Sequence, residues 1–288
     1  MPKQDERLAS SLHTILATVS FTVCFAGWGL IAALAPKLQT VFNLTATETA
    51  WLVALPVLLG SAARIPAGIL CDKFGGRLVF TALMLICSVL LCLPTLANNT
   101  TQLFASSLCL GLVGSAFVSG ATYVANRAPP RKVGSTLGIF GLSDLGLALC
   151  LAMAPGLSNS IGWQNVFYAA GAALSICAII FAVGAGKPVV RQNEPTLRQL
   201  LGSLVNERMV WLLGLFYFLT FGGFVAFAIY LPTLLQDQFH LTHTDAGFRT
   251  AVFVIIAALS RPLGGWLADQ IGGARALSIV FFGVTFFG

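Results

Sequence analysis

The sequence predicts an all-α membrane protein with many spans, built as two similar halves of which the second is incomplete. Three observations predict it. Hydrophobic residues make up 57% of the 288-residue chain and charged residues only 9%, with a mean hydropathy of +0.88, so there are too few polar groups to cover a soluble globule. Apolar segments of about 20 residues, the length that crosses about 30 Å of hydrocarbon, recur along the chain. Finally, positions 34–76 align without a gap on positions 231–273, and 15 of those 43 residues are identical.

The apolar segments fall near 12–36, 47–71, 78–97, 101–124, 135–157, 163–185, 209–231 and 246–268, and a ninth begins near 276. Eight full spans and part of a ninth are therefore expected. Residues 1–185 form an amino-terminal six-helix half, 186–208 a polar linker, and 209–288 a partial second half. Basic residues occupy the gaps on one side of this zigzag, among them Lys73, Arg77, Arg127, Arg131, Lys132 and Arg275, whereas the other side holds only Lys37. By the positive-inside rule the amino terminus and the linker are cytoplasmic, in a plasma or inner membrane. The net charge of +6 is thus a topology signal, and no nucleic-acid partner is expected. No phosphate-binding loop, nucleophile elbow or metal-ligand cluster is present, so neither enzyme chemistry nor a cofactor is expected. The seven cysteines sit in or beside apolar runs and read as small packing residues.

Two charges stand out. Arg64 and Arg261 lie inside spans two and eight, at equivalent positions of the repeat. An arginine at such a depth costs about 2.5 to 3.5 kcal/mol on insertion scales, and it usually faces a bundle interior on a substrate path. At 1.5 Å per residue both lie about 12 Å from the cytoplasmic helix ends, near the midplane. A planar guanidinium fork matches a planar oxyanion, and two such forks repel unless an anion lies between them. The other reading of these arginines is a structural pair bonded to carbonyls or a buried acid. Arg249 lies near the start of its helix and can snorkel.

Each arginine is followed by a loop motif: Gly68-x3-Asp72-x2-Gly75-x-Arg77 after span two and Gly265-x3-Asp269-x2-Gly272 after span eight. A parallel repeat with a longer linker resembles the plan of the major facilitator superfamily, and these loops resemble its signature between spans two and three. The resemblance implies that Gly68, Asp72, Gly75, Arg77, Gly265, Asp269 and Gly272 latch helix ends on the cytoplasmic side. Arg64-Ile-Pro-x-Gly, the run Tyr217-Phe-Leu-Thr-Phe221-Gly-Gly-Phe224 and Arg261-Pro-Leu-Gly-Gly-Trp-Leu-Ala-Asp269 are similar to the nitrate/nitrite porter family of that superfamily. What this implies is a secondary active transporter of a small inorganic anion, gripped by Arg64 and Arg261 and walled by Phe117, Tyr217 and Phe221.

Span five departs from that family. In Gly134-x3-Gly138-x2-Gly141-Leu-Ser-Asp144 an aspartate stands where the family carries a substrate-contacting asparagine. Level with both arginines, Asp144 would be held ionised beside one of them. An arriving anion would compete for that arginine and let Asp144 take up a proton, so protons are an expected partner. The alternative is a fixed ion pair that holds helices together, and an acid in the pocket also admits another anionic or zwitterionic substrate. The plan implied by the resemblance has twelve spans, so the chain reads as a truncated or split product whose remaining spans are expected from a continuation of the reading frame or from a second chain. A non-transporting fragment, or a membrane subunit or sensor of the same fold, is the other hypothesis.

Overall fold

A computed structural model describes residues 2–186, 202 and 206–287. Among these residues, eight helices are long and apolar enough to cross a bilayer: Ser11–Ala33, Ala46–Phe74, Gly76–Leu96, Thr100–Ala125, Val133–Ile161, Trp163–Gly184, Arg208–Phe239 and Asp245–Ile271. They are called spans 1 to 8. A further apolar helix, Gly273–Phe287, follows. The described residues are helical with no strand, as expected for an all-α membrane fold. Of the expected linker, residues 187–201 and 203–205 lie outside the described residues.

The helix ends follow from local chemistry, and the repeat is visible in them. Span 2 starts at a capping box: Glu48 N–H donates to Thr45 Oγ1 at 3.2 Å, and Thr45 N–H donates to Glu48 Oε2 at 2.8 Å. At the equivalent start of span 8, Asp245 N–H donates to Thr242 Oγ1 at 3.3 Å. The exposed Arg249 pairs with Asp245 at 3.1 Å, one turn along the same helix. Both spans end at the first glycine of a double glycine. Gly75 (φ 81°, ψ 145°) and Gly272 (φ 89°, ψ 146°) occupy a backbone region essentially closed to other residues.

Spans 1 to 6 pack around one contiguous core that includes Phe21, Trp28, Phe80, Tyr123, Phe140 and Phe181. Small residues set the closest approaches. A Cβ at Gly111 would lie 2.5 Å from the Pro56 carbonyl oxygen, and one at Gly60 would lie 2.7 Å from the Gly111 carbonyl oxygen. Spans 2 and 4 therefore touch backbone to backbone, the contact that small residues permit between helices in lipid. The main seam between the halves runs along span 5 against span 8. There Gly134, Gly138 and Gly141 form a stripe: a Cβ at Gly134 would lie 2.5 Å from the Gly265 carbonyl oxygen, and one at Gly138 would lie 2.6 Å from that of Arg261.

Gly111→Val is expected to force spans 2 and 4 apart at a cost of about 1 to 3 kcal/mol, the usual range for overpacking. A lowered melting temperature of the detergent-solubilised variant checks this, and an unchanged one contradicts the backbone contact.

Candidate functional site

Arg64 and Arg261 reach the same aromatic ring. The guanidinium carbon of Arg64 is 5.2 Å from the Phe221 centroid and that of Arg261 is 5.8 Å from it, both within cation–π range. Phe221 stacks on Tyr217 with centroids 5.0 Å apart and planes 15° apart. The Tyr217 hydroxyl accepts a hydrogen bond from Arg64 Nη1 at 3.3 Å, and Phe224 lies 6.0 Å from the Arg261 guanidinium. Span 7 presents these rings through a π-helical turn at Phe218–Gly222, a local widening often found at functional positions.

The two arginines differ in their counter-charge. Arg261 Nη2 lies 2.5 Å from Asp144 Oδ2, and the Asp144 side chain is only 2% exposed. The contact is a charge pair without the alignment of a hydrogen bond. Asp144 sits in a 3-10 turn, Leu142–Asp144, in the middle of span 5, where spans 1 and 8 pack against it. The stem of Arg261 lies in the glycine stripe, since a Cβ at Gly141 would be 2.5 Å from its Cδ. Arg64 has no carboxylate partner among the described residues, and its Nε is buried without a hydrogen bond there.

A cavity of about 1130 Å³ opens between spans 1, 2 and 7. It runs from Gln39 and Gln236, near the helix ends remote from the amino terminus, down to Arg64, Tyr217 and Phe221. Arg261 and Asp144 lie outside its lining. At the opposite end spans 5 and 8 are tied together. There Asp269 accepts from Gly134 N–H at 2.8 Å, Ser135 N–H at 2.7 Å and Ser135 Oγ–H at 2.5 Å. A carboxylate at a helix amino terminus satisfies orphan donors and meets the positive end of the helix dipole.

Residues 16–288 match the family model of the Major Facilitator Superfamily. The chain is 34% identical over 277 residues to the "Nitrite extrusion protein" of Bacillus subtilis (strain 168), covering 95% of this chain and 69% of that protein. It is 34% identical over 266 residues to the "Probable nitrate transporter NarT" of a Staphylococcus epidermidis strain, covering 92% and 68%. The chain belongs to the nitrate/nitrite porter family of that superfamily. The "Probable nitrate/nitrite antiporter NarK1" of Thermus thermophilus is 30% identical, with 92% of this chain and 63% of that protein covered. The chain thus spans about two thirds of the length of such porters. The fold agrees. A bacterial homologue of the human lysosomal transporter Spinster, in an inward-facing and unoccupied conformation, matches with TM-score 0.66 at 17% identity over 91% of this chain and 63% of that one. The proton:xylose symporter XylE matches with TM-score 0.66 at 16% identity over 92% and 70%. This is a family of multi-pass membrane transporters and not of enzymes.

In this porter, Arg64, Arg261, Tyr217, Phe221 and Asp144 form one connected group. Phe117 is packed between Phe21 and Phe140, with centroids 5.5 Å from each, and is not part of the cavity lining. Of the two loop motifs, Asp269 bridges spans 8 and 5, whereas Asp72 makes no hydrogen bond or ion pair among the described residues. Arg77 binds instead the end of span 6: Nη2 donates to the Ala182 carbonyl at 2.6 Å and Nη1 to that of Gly186. A cation there meets the unpaired carbonyls of a helix carboxy terminus. Sequence reading missed Ser135, Phe25, Trp28 and the two glutamines of the cavity. Only Gln39 and Gln236 carried a signal, as an identical pair in the repeat.

Removing one partner of a buried ion pair strands the other, at a cost of about 3 to 5 kcal/mol. Arg261→Met is therefore expected to lower the melting temperature, and adding Asp144→Asn to the same chain should restore most of the loss. Equal melting of the single and double variants would contradict the pairing.

Proposed function

We propose that this porter carries a small inorganic anion, nitrate or nitrite, between its two halves by alternating access, with Arg64 and Arg261 as its binding groups. The observation that carries this reading is the placement of two repeat-equivalent guanidiniums on one aromatic ring, at 5.2 Å and 5.8 Å, with that ring and Arg64 lining the inner end of a cavity. Forked donors beside flat rings suit a planar oxyanion, and the relatives named as nitrate or nitrite transporters fit that class. The cavity on one side and the glycine-lined seam on the other are what one end state of alternating access requires. With the basic gaps placed inside, the amino terminus is cytoplasmic and the cavity faces outward in a plasma or inner membrane. Asp269, gripping the start of span 5, then acts as the cytoplasmic latch, together with the helix-end turns at Gly75 and Gly272 and the helix-interior glycines Gly68 and Gly265.

Asp144 adds proton coupling. It is almost fully buried and faces Arg261 from span 8, with Tyr217 from span 7 within electrostatic reach of Asp144, Arg64 and Arg261. An anion that takes over Arg261 removes the charge that keeps Asp144 ionised, and the carboxylate then binds a proton. Anion and proton cross together.

Nitrate or nitrite, but not chloride, is expected to raise the melting temperature of the purified chain, and Arg64→Ala should abolish that rise. A chain indifferent to all three anions would overturn the anion site. In proteoliposomes, uptake should quicken as the outer pH is lowered and should lose this dependence in Asp144→Asn. An unchanged pH profile in that variant would leave Asp144 a structural ion-pair partner.

A further inference from the structure

Given an anion carrier, as proposed above, we infer that the two arginines are loaded in sequence: Arg64 captures the anion, and Phe221 is the shutter that withholds Arg261 until Asp144 lets go. Four observations meet here. First, the open cavity is lined by Arg64, Tyr217 and Phe221 but not by Arg261 or Asp144, so an anion coming down it meets one guanidinium and not two. Second, that guanidinium is the free one. Arg64 has no acid partner, and its Nε is buried without a hydrogen bond among the described residues. A charged donor left unsatisfied in a low-dielectric site is costly, and an oxyanion is the group that would satisfy it.

Third, Arg261 is occupied and held. Asp144 lies 2.5 Å from its Nη2, and its stem lies against the bare backbone of the glycine stripe, its Cδ within 2.5 Å of where a Cβ at Gly141 would stand. Fourth, Phe221 has guanidiniums at 5.2 Å and 5.8 Å and stands on a segment that can turn. It belongs to the π-helical turn Phe218–Gly222. Gly223 follows, and a Cβ there would meet nothing within 4 Å. The glycines of the span 5 seam are filled by neighbouring backbone, whereas this one is not packed. A π-turn that tightens to α-helix rotates the residues on one side of it relative to the other, which is the movement needed to carry Phe221 off Arg261.

The order has a chemical consequence. Affinity in the open state is set by Arg64 with the Tyr217 hydroxyl, and the exchange of Asp144 for the anion on Arg261 belongs to the closing step. Binding and transport therefore divide between the two arginines, although they are repeat equivalents.

The test is anion-dependent thermal stabilisation of the purified chain, with nitrate and nitrite as probes, beside uptake in proteoliposomes. Arg64→Gln is expected to raise the half-stabilising concentration more than tenfold, and Arg64→Lys, which keeps the charge and guards against misfolding, to do so as well. Arg261→Gln paired with Asp144→Asn, which leaves no stranded acid, should change it less than threefold while cutting uptake more than tenfold. In a Phe221→Ala background the same Arg261 and Asp144 changes should weaken binding about tenfold, because the shutter is gone. Equal weakening by the two arginine changes in the unaltered background overturns sequential loading, and so does an unaffected Phe221→Ala background. If the unaltered chain responds to neither anion, the carrier reading itself falls.

Discussion

A guanidinium at bilayer depth is tolerated only where protein groups replace the water it has lost, and Arg64 and Arg261 meet that demand differently. Arg261 is neutralised by Asp144 and wedged along a stripe of glycines. Arg64 has aromatic faces and one phenolic oxygen, and no opposite charge among the described residues. The rest of the architecture accommodates this pair. Span 5 is free of side chains where Arg261 must lie, and span 7 widens into a π-turn where the rings must face both arginines. Both guanidiniums lie within cation–π range of the Phe221 ring, whose negative face offsets part of their mutual repulsion.

Packing density is distributed unevenly, and the distribution follows function. Where spans 2 and 4 or spans 5 and 8 cross, a single added methyl group would collide with backbone. Such contacts have no graded intermediate, which makes the seam either closed or parted. Facing spans 1 and 2, span 7 touches little, and the cavity fills the interval. The carboxylate of Asp269 joins the halves at the seam's end by hydrogen bonds to backbone N–H groups and a serine, none of which depends on a long flexible side chain.

Much of this was legible in the sequence, for identifiable reasons. The bilayer imposes a length on every span, so the segments near 47–71 and 246–268 correspond to Ala46–Phe74 and Asp245–Ile271, differing mainly by polar caps that hydropathy does not register. The repeat made Arg64 and Arg261 conspicuous, and glycine spacing marked span 5. Tertiary partners were not legible. Nothing in the sequence chose between Arg64 and Arg261 as the neighbour of Asp144, because both stand at the same depth. That Ser135 meets Asp269, 134 positions away, depends on how spans 5 and 8 cross. Phe117, assigned to the wall by resemblance, packs among Phe21 and Phe140, since an aromatic side chain fills a core as readily as it lines a path.

The Arg261–Asp144 pair also decides what the membrane voltage can do. Two guanidiniums and one carboxylate give the empty site a single positive charge. If a monovalent anion arrives and Asp144 takes up a proton, the loaded site again carries one positive charge. A charge moved through the field is worth about 2.3 kcal/mol per 100 mV, but that work is then the same on the loaded and empty strokes, and over a full cycle it cancels. The resident carboxylate would thus uncouple anion movement from membrane potential and leave the pH difference and the anion's own gradient as its driving forces.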